Sequence, residues 1–231
     1  MEAELTDVEK GYAVYTRRNL AFYDWWVLGI SNQLIWRCPT EELLELYREH
    51  LSDNHLEVGV GTGYFLEKTL PEGRPRVALL DINRDCLEVA SRRIENYRPE
   101  IHQENILEPL EIHGAGYDSI AINYLLHCLP GTLDTKAGQV MDHLAPYLHE
   151  KGTLFGSTIL GADIKKPLLA SLLMQKYNKK GIFSNTQDSL GAVMEALSTR
   201  FKTFNVEVQG CVLLFWGKGV KESYRESLRG Q

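Results

Sequence analysis

HLEVGVGTGYF, residues 55–65, is a short apolar run that ends in three spaced glycines. Gly59, Gly61 and Gly63 follow one acid, Glu57. Glycine takes positive φ at little steric cost and lets the backbone approach a bound molecule closely. A strand that breaks into such a turn and resumes in the helical GYFLEKTL (63–70) is the arrangement by which α/β sheets hold ligands beyond the carboxyl ends of their strands.

The surrounding segments fit a sheet of that kind. PTEELLELYREHL (39–51) reads as a helix, with Thr40 at its N-cap, acids in its first turn and an apolar stripe of Leu43, Leu44, Tyr47 and Leu51. RPRVALLD (74–81) reads as a second strand ending in Asp81, and NRDCLEVASRRIENY (83–97) as a helix capped by Asn83. EIHQEN (100–105), YDSIAIN (117–123) and GTLFGSTIL (152–160) supply further strands, with a helix over residues 132–150 between the last two. Strands alternating with helices predict a doubly wound, mostly parallel sheet covered on both faces. FKTFNVEVQG and CVLLFWGKG are joined around Gly210, too short a link for a parallel crossover. They predict a closing antiparallel hairpin and a total of seven strands.

Bulk properties exclude several classes. The chain has 231 residues, 44% of them hydrophobic, enough for one full domain with a sizeable core. Its net charge of -6 gives no general attraction for nucleic acid. Cys38, Cys86, Cys128 and Cys211 are scattered, with no paired or zinc-type spacing. The polar start has no secretory-signal pattern, and no apolar run reaches the roughly 20 residues that cross a bilayer. These features predict a cytoplasmic protein with reduced thiols and without nucleic-acid or membrane partners; a monomer or homodimer acting on a small-molecule acceptor is the assembly expected.

The glycine spacing is G-x-G-x-G, with Tyr64 in the final glycine position of the dinucleotide pattern, which counts against NAD. Asp81 lies 22 residues beyond Gly59 (81 − 59), where a carboxylate can accept both hydroxyls of a ribose. The run from Glu57 to Gly63 resembles motif I of the class I S-adenosylmethionine-dependent methyltransferases. Asp81 resembles the acid of their second motif. ENILEPL (104–110), YDSIAINYLLHCLP (117–130) and the C-terminal hairpin resemble later segments of that family, so the likeness spans roughly residues 40–217.

The resemblance implies a Rossmann-like α/β fold and S-adenosyl-L-methionine as cofactor, with S-adenosyl-L-homocysteine as product. It implies a helical cap over residues 1–39, a methyltransferase domain over 40–218 with a helical insertion at about 163–200, and a charged tail over 219–231. Gly59 and Gly61 would lie under the methionine moiety, and Glu57 would orient the turn or the cofactor ammonium. Asp81 would hold the ribose and Ile82 would pack on the adenine. Asn105, where the family commonly has Asp, and Ile106 would flank the adenine's far edge. Asn123 would sit near the reacting methyl.

The acceptor must be read from what covers the site. Residues 15–40 are rich in aromatics and resemble the lid of small-molecule methyltransferases, which implies that Tyr15, Tyr23, Trp26 and Trp36 line an acceptor pocket. The alternative is an ordinary amphipathic helix packed on the sheet. Residues 163–185 form a second candidate cover, with Leu168, Leu169, Leu172, Leu173 and Met174 as its apolar side chains. YDWWVLGISNQLIWRCP and NYLLHCLPG resemble methyltransferases of microbial, notably fungal, natural-product pathways. The implied activity is methylation of a hydroxyl, carboxyl or other nucleophile on an apolar or aromatic small molecule.

His127 and Tyr124, in the loop after the fourth strand, are the candidate catalytic groups. An imidazole with an unperturbed pKa of about 6.5 suits a base at neutral pH, and a packed histidine is the structural alternative. The NPPY signature of amino-methylating nucleic-acid enzymes is absent, and no acidic cluster predicts a metal. A cofactor-binding pericyclase or regulatory protein, or an NAD-dependent oxidoreductase, are the rival readings.

Overall fold

The computed structural model describes residues 24–229. Seven strands form one sheet in the order β3-β2-β1-β4-β5-β7-β6. They are β1 (Asn54–Val58), β2 (Arg76–Leu80), β3 (Glu100–His102), β4 (Tyr117–Asn123), β5 (Leu148–Ile159), β6 (Phe201–Gln209) and β7 (Val212–Val220). β1 to β5 run parallel, while β7 pairs antiparallel with both β5 and β6. The expected parallel sheet with a closing hairpin is therefore present.

Strand pleating divides the core in two. Leu56, Val58, Ala78, Leu80, Ile120 and Ile122 face one layer, packed against α4 (Leu133–Leu144) and α6 (Leu190–Arg200). Val77, Leu79, Ala121 and Phe155 face the other layer, against α1 (Thr40–His50), α2 (Tyr64–Thr69) and α3 (Arg84–Arg93). Both sheet faces are covered, as a mostly parallel sheet requires. α5 (Leu168–Lys179) follows β5, and α7 (Glu222–Arg229) closes the described chain. Ahead of α1, Asp24–Trp36 is wound as a π-helix. Among the described residues, no helix is long and apolar enough to cross a membrane.

Three local expectations need correction. The helix predicted over residues 132–150 ends at Leu144. A 3₁₀ turn at Ala145–Tyr147 follows, and β5 already begins at Leu148. Pro146 ends the helix because it offers no N–H and its ring restricts the residue before it. Strand β3 stops at His102, short of the predicted 105. Thr40 is the first helical residue instead of the N-cap, and its hydroxyl donates to the Leu28 carbonyl at 2.5 Å. Asn83, by contrast, caps α3 as expected, its side chain accepting from the Asp85 N–H at 2.9 Å.

Candidate active site

β1 and β4 are adjacent, and chain connections leave from them in opposite directions across the sheet. Their carboxyl ends therefore diverge and open a crevice. One cavity of about 900 Å³, including its open mouth, fills it. Its walls come mostly from four places, with Cys86 of α3 besides. The turn after β1 gives Gly59 to Thr62, with Tyr64 and Phe65 of α2; the end of β2 gives Asp81, Ile82 and Asn83. The loop after β4 gives Asn123, Tyr124, Leu125, Cys128, Leu129 and Pro130, and the π-helical segment gives Leu28.

The turn after β1 owes its course to glycine. Gly59, Gly61 and Gly63 have φ of 74°, 51° and 73°. A Cβ built on Gly61 would meet nothing within 4 Å, so this backbone faces open space in the cavity. A Cβ on Gly63 would lie 3.0 Å from Ala90 Cα, so this third glycine lets α2 and α3 pack closely. Bare backbone on one side and a carboxylate on the other suit a ligand with a ribose and a charged amino-acid moiety.

Two carboxylates reach the cavity. Glu57 is buried, accepting from the Tyr47 hydroxyl at 2.5 Å and contacting His55 Nε2 at 3.1 Å. Tyr47 is locked in turn by stacking on Phe65 (5.1 Å) and by an edge contact with Phe155 (5.0 Å). Its phenol is pushed well above the ordinary range by burial and by Glu57. Asp81 accepts from the Asn83 N–H at 2.8 Å. Burial pushes its carboxyl up to about 6, against the opposing pull of backbone N–H donors at Asn83, Val60, Gly61 and Ile82.

The predicted site residues divide. Glu57, Gly59, Gly61, Asp81, Ile82, Asn123 and Tyr124 all meet in the one cavity. Asn123 is fixed there by the Ser157 hydroxyl, which donates to its side-chain oxygen. Asn105 and Ile106 lie outside these walls. Asn105 caps its own turn, accepting from the Leu107 N–H at 3.1 Å and donating to Glu108 at 3.0 Å. Ile106 is buried in the core.

His127 also lies off the cavity, behind Tyr124. It is buried edge-on to Phe183 at 4.5 Å, and its Nδ1 accepts from the Ile159 N–H at 3.3 Å. Burial, and then the nearby Lys136 charge, push the imidazole down to about 3. This placement differs from the exposed base expected: the ring packs away from the cavity, with its Nδ1 hydrogen-bonded. Trp36 is likewise core and not pocket, buried at 2% exposure against Phe183 (6.1 Å), while its carbonyl accepts from the Cys211 N–H at 2.7 Å. Tyr15, Tyr23 and the Trp26 side chain lie outside the described residues.

Several contributors were not singled out as site residues from the sequence. Leu28, and Leu125, Cys128, Leu129 and Pro130 of the run after β4, lie in stretches read only by resemblance, and the fold brings their side chains to the site. Behind that run lies a buried ion pair, Lys136 Nζ to Asp188 Oδ2 at 3.0 Å. Lys136 also donates to the carbonyls of Leu129 (3.1 Å) and Ser184 (2.6 Å), which ties the cavity wall to the segment before α6. Burial pushes the Asp188 carboxyl up to about 6, against the opposing pull of Lys136.

Comparison with known proteins agrees with this geometry. A methyltransferase-domain family profile matches residues 56–154. The chain is 38% identical to the methyltransferase aurB of Calcarisporium arbuscula, over 84% of this chain and 90% of that protein. It is 37% identical to the physcion biosynthesis cluster O-methyltransferase of Aspergillus chevalieri, over 92% of this chain and 96% of that protein. In fold it is similar to the N-methyltransferase NodS of Bradyrhizobium japonicum, whose crystal structure contains S-adenosyl-L-homocysteine. That match has a TM-score of 0.64 at 18% identity, covering 91% of this chain and 98% of the other.

Proposed function

The chain belongs to the S-adenosylmethionine-dependent methyltransferases, and on that premise we propose that it methylates an oxygen of a small, largely apolar molecule in natural-product biosynthesis. The observation that carries this reading is the mixed lining of the cavity. The glycine turn and Asp81 give it bare backbone and a carboxylate, while Leu28, Leu125, Leu129 and Pro130 beside Tyr124 give it apolar walls. S-adenosylmethionine supplies an electrophilic methyl when bound, so the protein's work is alignment and exclusion of water. The open backbone at Gly61 and the Asp81 carboxylate suit the cofactor's main chain and ribose. Glu57 suits its ammonium, and Ile82 suits its adenine. The apolar walls suit a ring or short chain as acceptor, and relatives named for O-methylation favour oxygen as the receiving atom.

The burial of His127 favours an acceptor that loses its own proton readily, such as a phenol or enol. Incubation with methyl-deuterated cofactor and a panel of phenols, enols, aliphatic alcohols, carboxylic acids and amines tests this, read by mass spectrometry. The expected result is labelled product from acidic hydroxyl compounds. Product from amines alone, or from none of the panel while S-adenosylhomocysteine binds, would overturn the acceptor class.

A further inference from the structure

The N-terminal segment and the Tyr124 wall of the cavity share one partly buried hydrogen-bond chain. Asn32, in the π-helical segment, is fully buried at 0% exposure. Its Oδ1 accepts from the Tyr124 hydroxyl at 3.0 Å, across 92 residues of sequence. Its Nδ2 donates to Thr40 Oγ1 at 3.0 Å, and that hydroxyl donates onward to the Leu28 carbonyl. The chain has a direction. Thr40 has one hydroxyl proton, and the Leu28 carbonyl takes it, so Thr40 must accept from Asn32. The carboxamide is thereby turned with its oxygen toward Tyr124, and the phenol must donate.

Tyr124 has reason to be held. It sits at the carboxyl end of β4 with φ of 53°, a conformation that bulky residues rarely adopt, and its N–H donates to the Ser157 carbonyl at 2.9 Å. Both it and Leu28 line the cavity.

We propose that Asn32 is a positioning residue for methyl transfer, holding the Tyr124 ring as the acceptor-side wall and fastening the Leu28 segment over the cavity through the same carboxamide. This rests on the methyltransferase reading of the cavity above.

The test uses the full chain labelled with 3-fluorotyrosine and read by fluorine NMR, with S-adenosylhomocysteine as the probe. Tyr124→Phe identifies the Tyr124 resonance by its loss. Asn32→Leu and Thr40→Val should each shift or broaden that resonance, while Asn32→Asp, which keeps an acceptor oxygen, should retain it near its wild-type position. Amides of residues 28–38 should exchange about tenfold faster in Asn32→Leu, as expected for loss of one partly buried hydrogen bond. They should exchange no faster in Asn32→Leu/Tyr124→Phe than in the worse single variant. A Tyr124 resonance unmoved in both Asn32→Leu and Thr40→Val, or additive exchange in the double variant, overturns the proposal. If Asn32→Leu fails to fold, Thr40→Val and Asn32→Asp decide it. Failure of wild-type chain to bind S-adenosylhomocysteine would instead count against the cavity reading, and the Tyr124 resonance would still judge Asn32.

Discussion

Two sets of walls in the cavity are built by different means. The set proposed to hold the cofactor is local: Glu57 to Phe65 and Asp81 to Asn83 come from two consecutive strand–turn–helix units, and much of the surface offered is backbone. The set proposed to face the acceptor is assembled from Leu28, from Asn123 to Leu125 and Cys128 to Pro130, and from the Lys136–Asp188 pair behind them. A binding surface made of main chain tolerates few sequences, because only glycine fits its φ values and its close approaches. A surface made of side chains from distant segments tolerates many. Sequence change is therefore expected to alter the side-chain walls more readily than the glycine turn.

That contrast predicts where substitutions hurt. The largest effect is expected at Lys136→Ala. Removing one partner of a buried ion pair strands the other charge and should cost about 3–5 kcal/mol of stability. Thermal unfolding measures it, and a loss below about 1 kcal/mol would mean the acceptor wall is not held by this pair.

Gly61→Val ranks next. The side chain would enter the open space above the turn and would demand positive φ from a β-branched residue. S-adenosylhomocysteine affinity should fall by a hundredfold or more, about 2.7 kcal/mol, with the fold kept. Unchanged affinity would place the cofactor elsewhere.

Asp81→Asn should weaken cofactor affinity about tenfold to a hundredfold, the cost of losing a charged acceptor. It also has a pH signature. The Asp81 carboxyl is raised from 3.8 to about 6, so its stabilising contribution to the folded chain is present below the unfolded pKa and is lost as pH rises through about 6. Asn at this position should therefore stabilise the unliganded chain above pH about 7 relative to wild type, with little difference near pH about 4. In wild type, cofactor affinity should fall as pH drops through about 6, as the carboxylate that accepts the ribose hydroxyls is protonated. Melting curves across pH that show no such crossover would contradict a raised Asp81 carboxyl.

The smallest effect is expected at His127→Gln. If a buried ring with its Nδ1 already bonded takes no proton from the acceptor, turnover should stay within about threefold and the pH profile should keep its shape. A loss of about 10²-fold or more confined to a hydroxyl acceptor would restore His127 as catalytic.

The same contrast explains what was legible in the sequence. Glu57, the glycines and Asp81 could be read because a turn with positive φ and a strand-ending acid leave local marks. The hairpin could be read because Gly210 joins two strands too closely for any other pairing. Residues 145–150 misled because the apolar spacing of α4 runs on into β5, and Pro146 was the only sign of the break. His127 misled because a loop position says where the backbone passes and not which way the ring points; Phe183, 56 residues away (183 − 127), decides that. Asn32 left no mark, since its partners Thr40 and Tyr124 are brought together only by folding. Thr40 looked like a helix cap for the same reason: sequence displays the hydroxyl but not the distant groups that claim it.

Calorimetric titration of S-adenosyl-L-homocysteine into the wild-type chain and into Gly61→Val, at neutral pH, tests the central claim most directly. The account predicts one site on the wild type with a dissociation constant in the micromolar range, corresponding to about 8 kcal/mol, and binding lost or weakened at least a hundredfold in the folded variant. Equal binding by both chains, or none by the wild type, would contradict it.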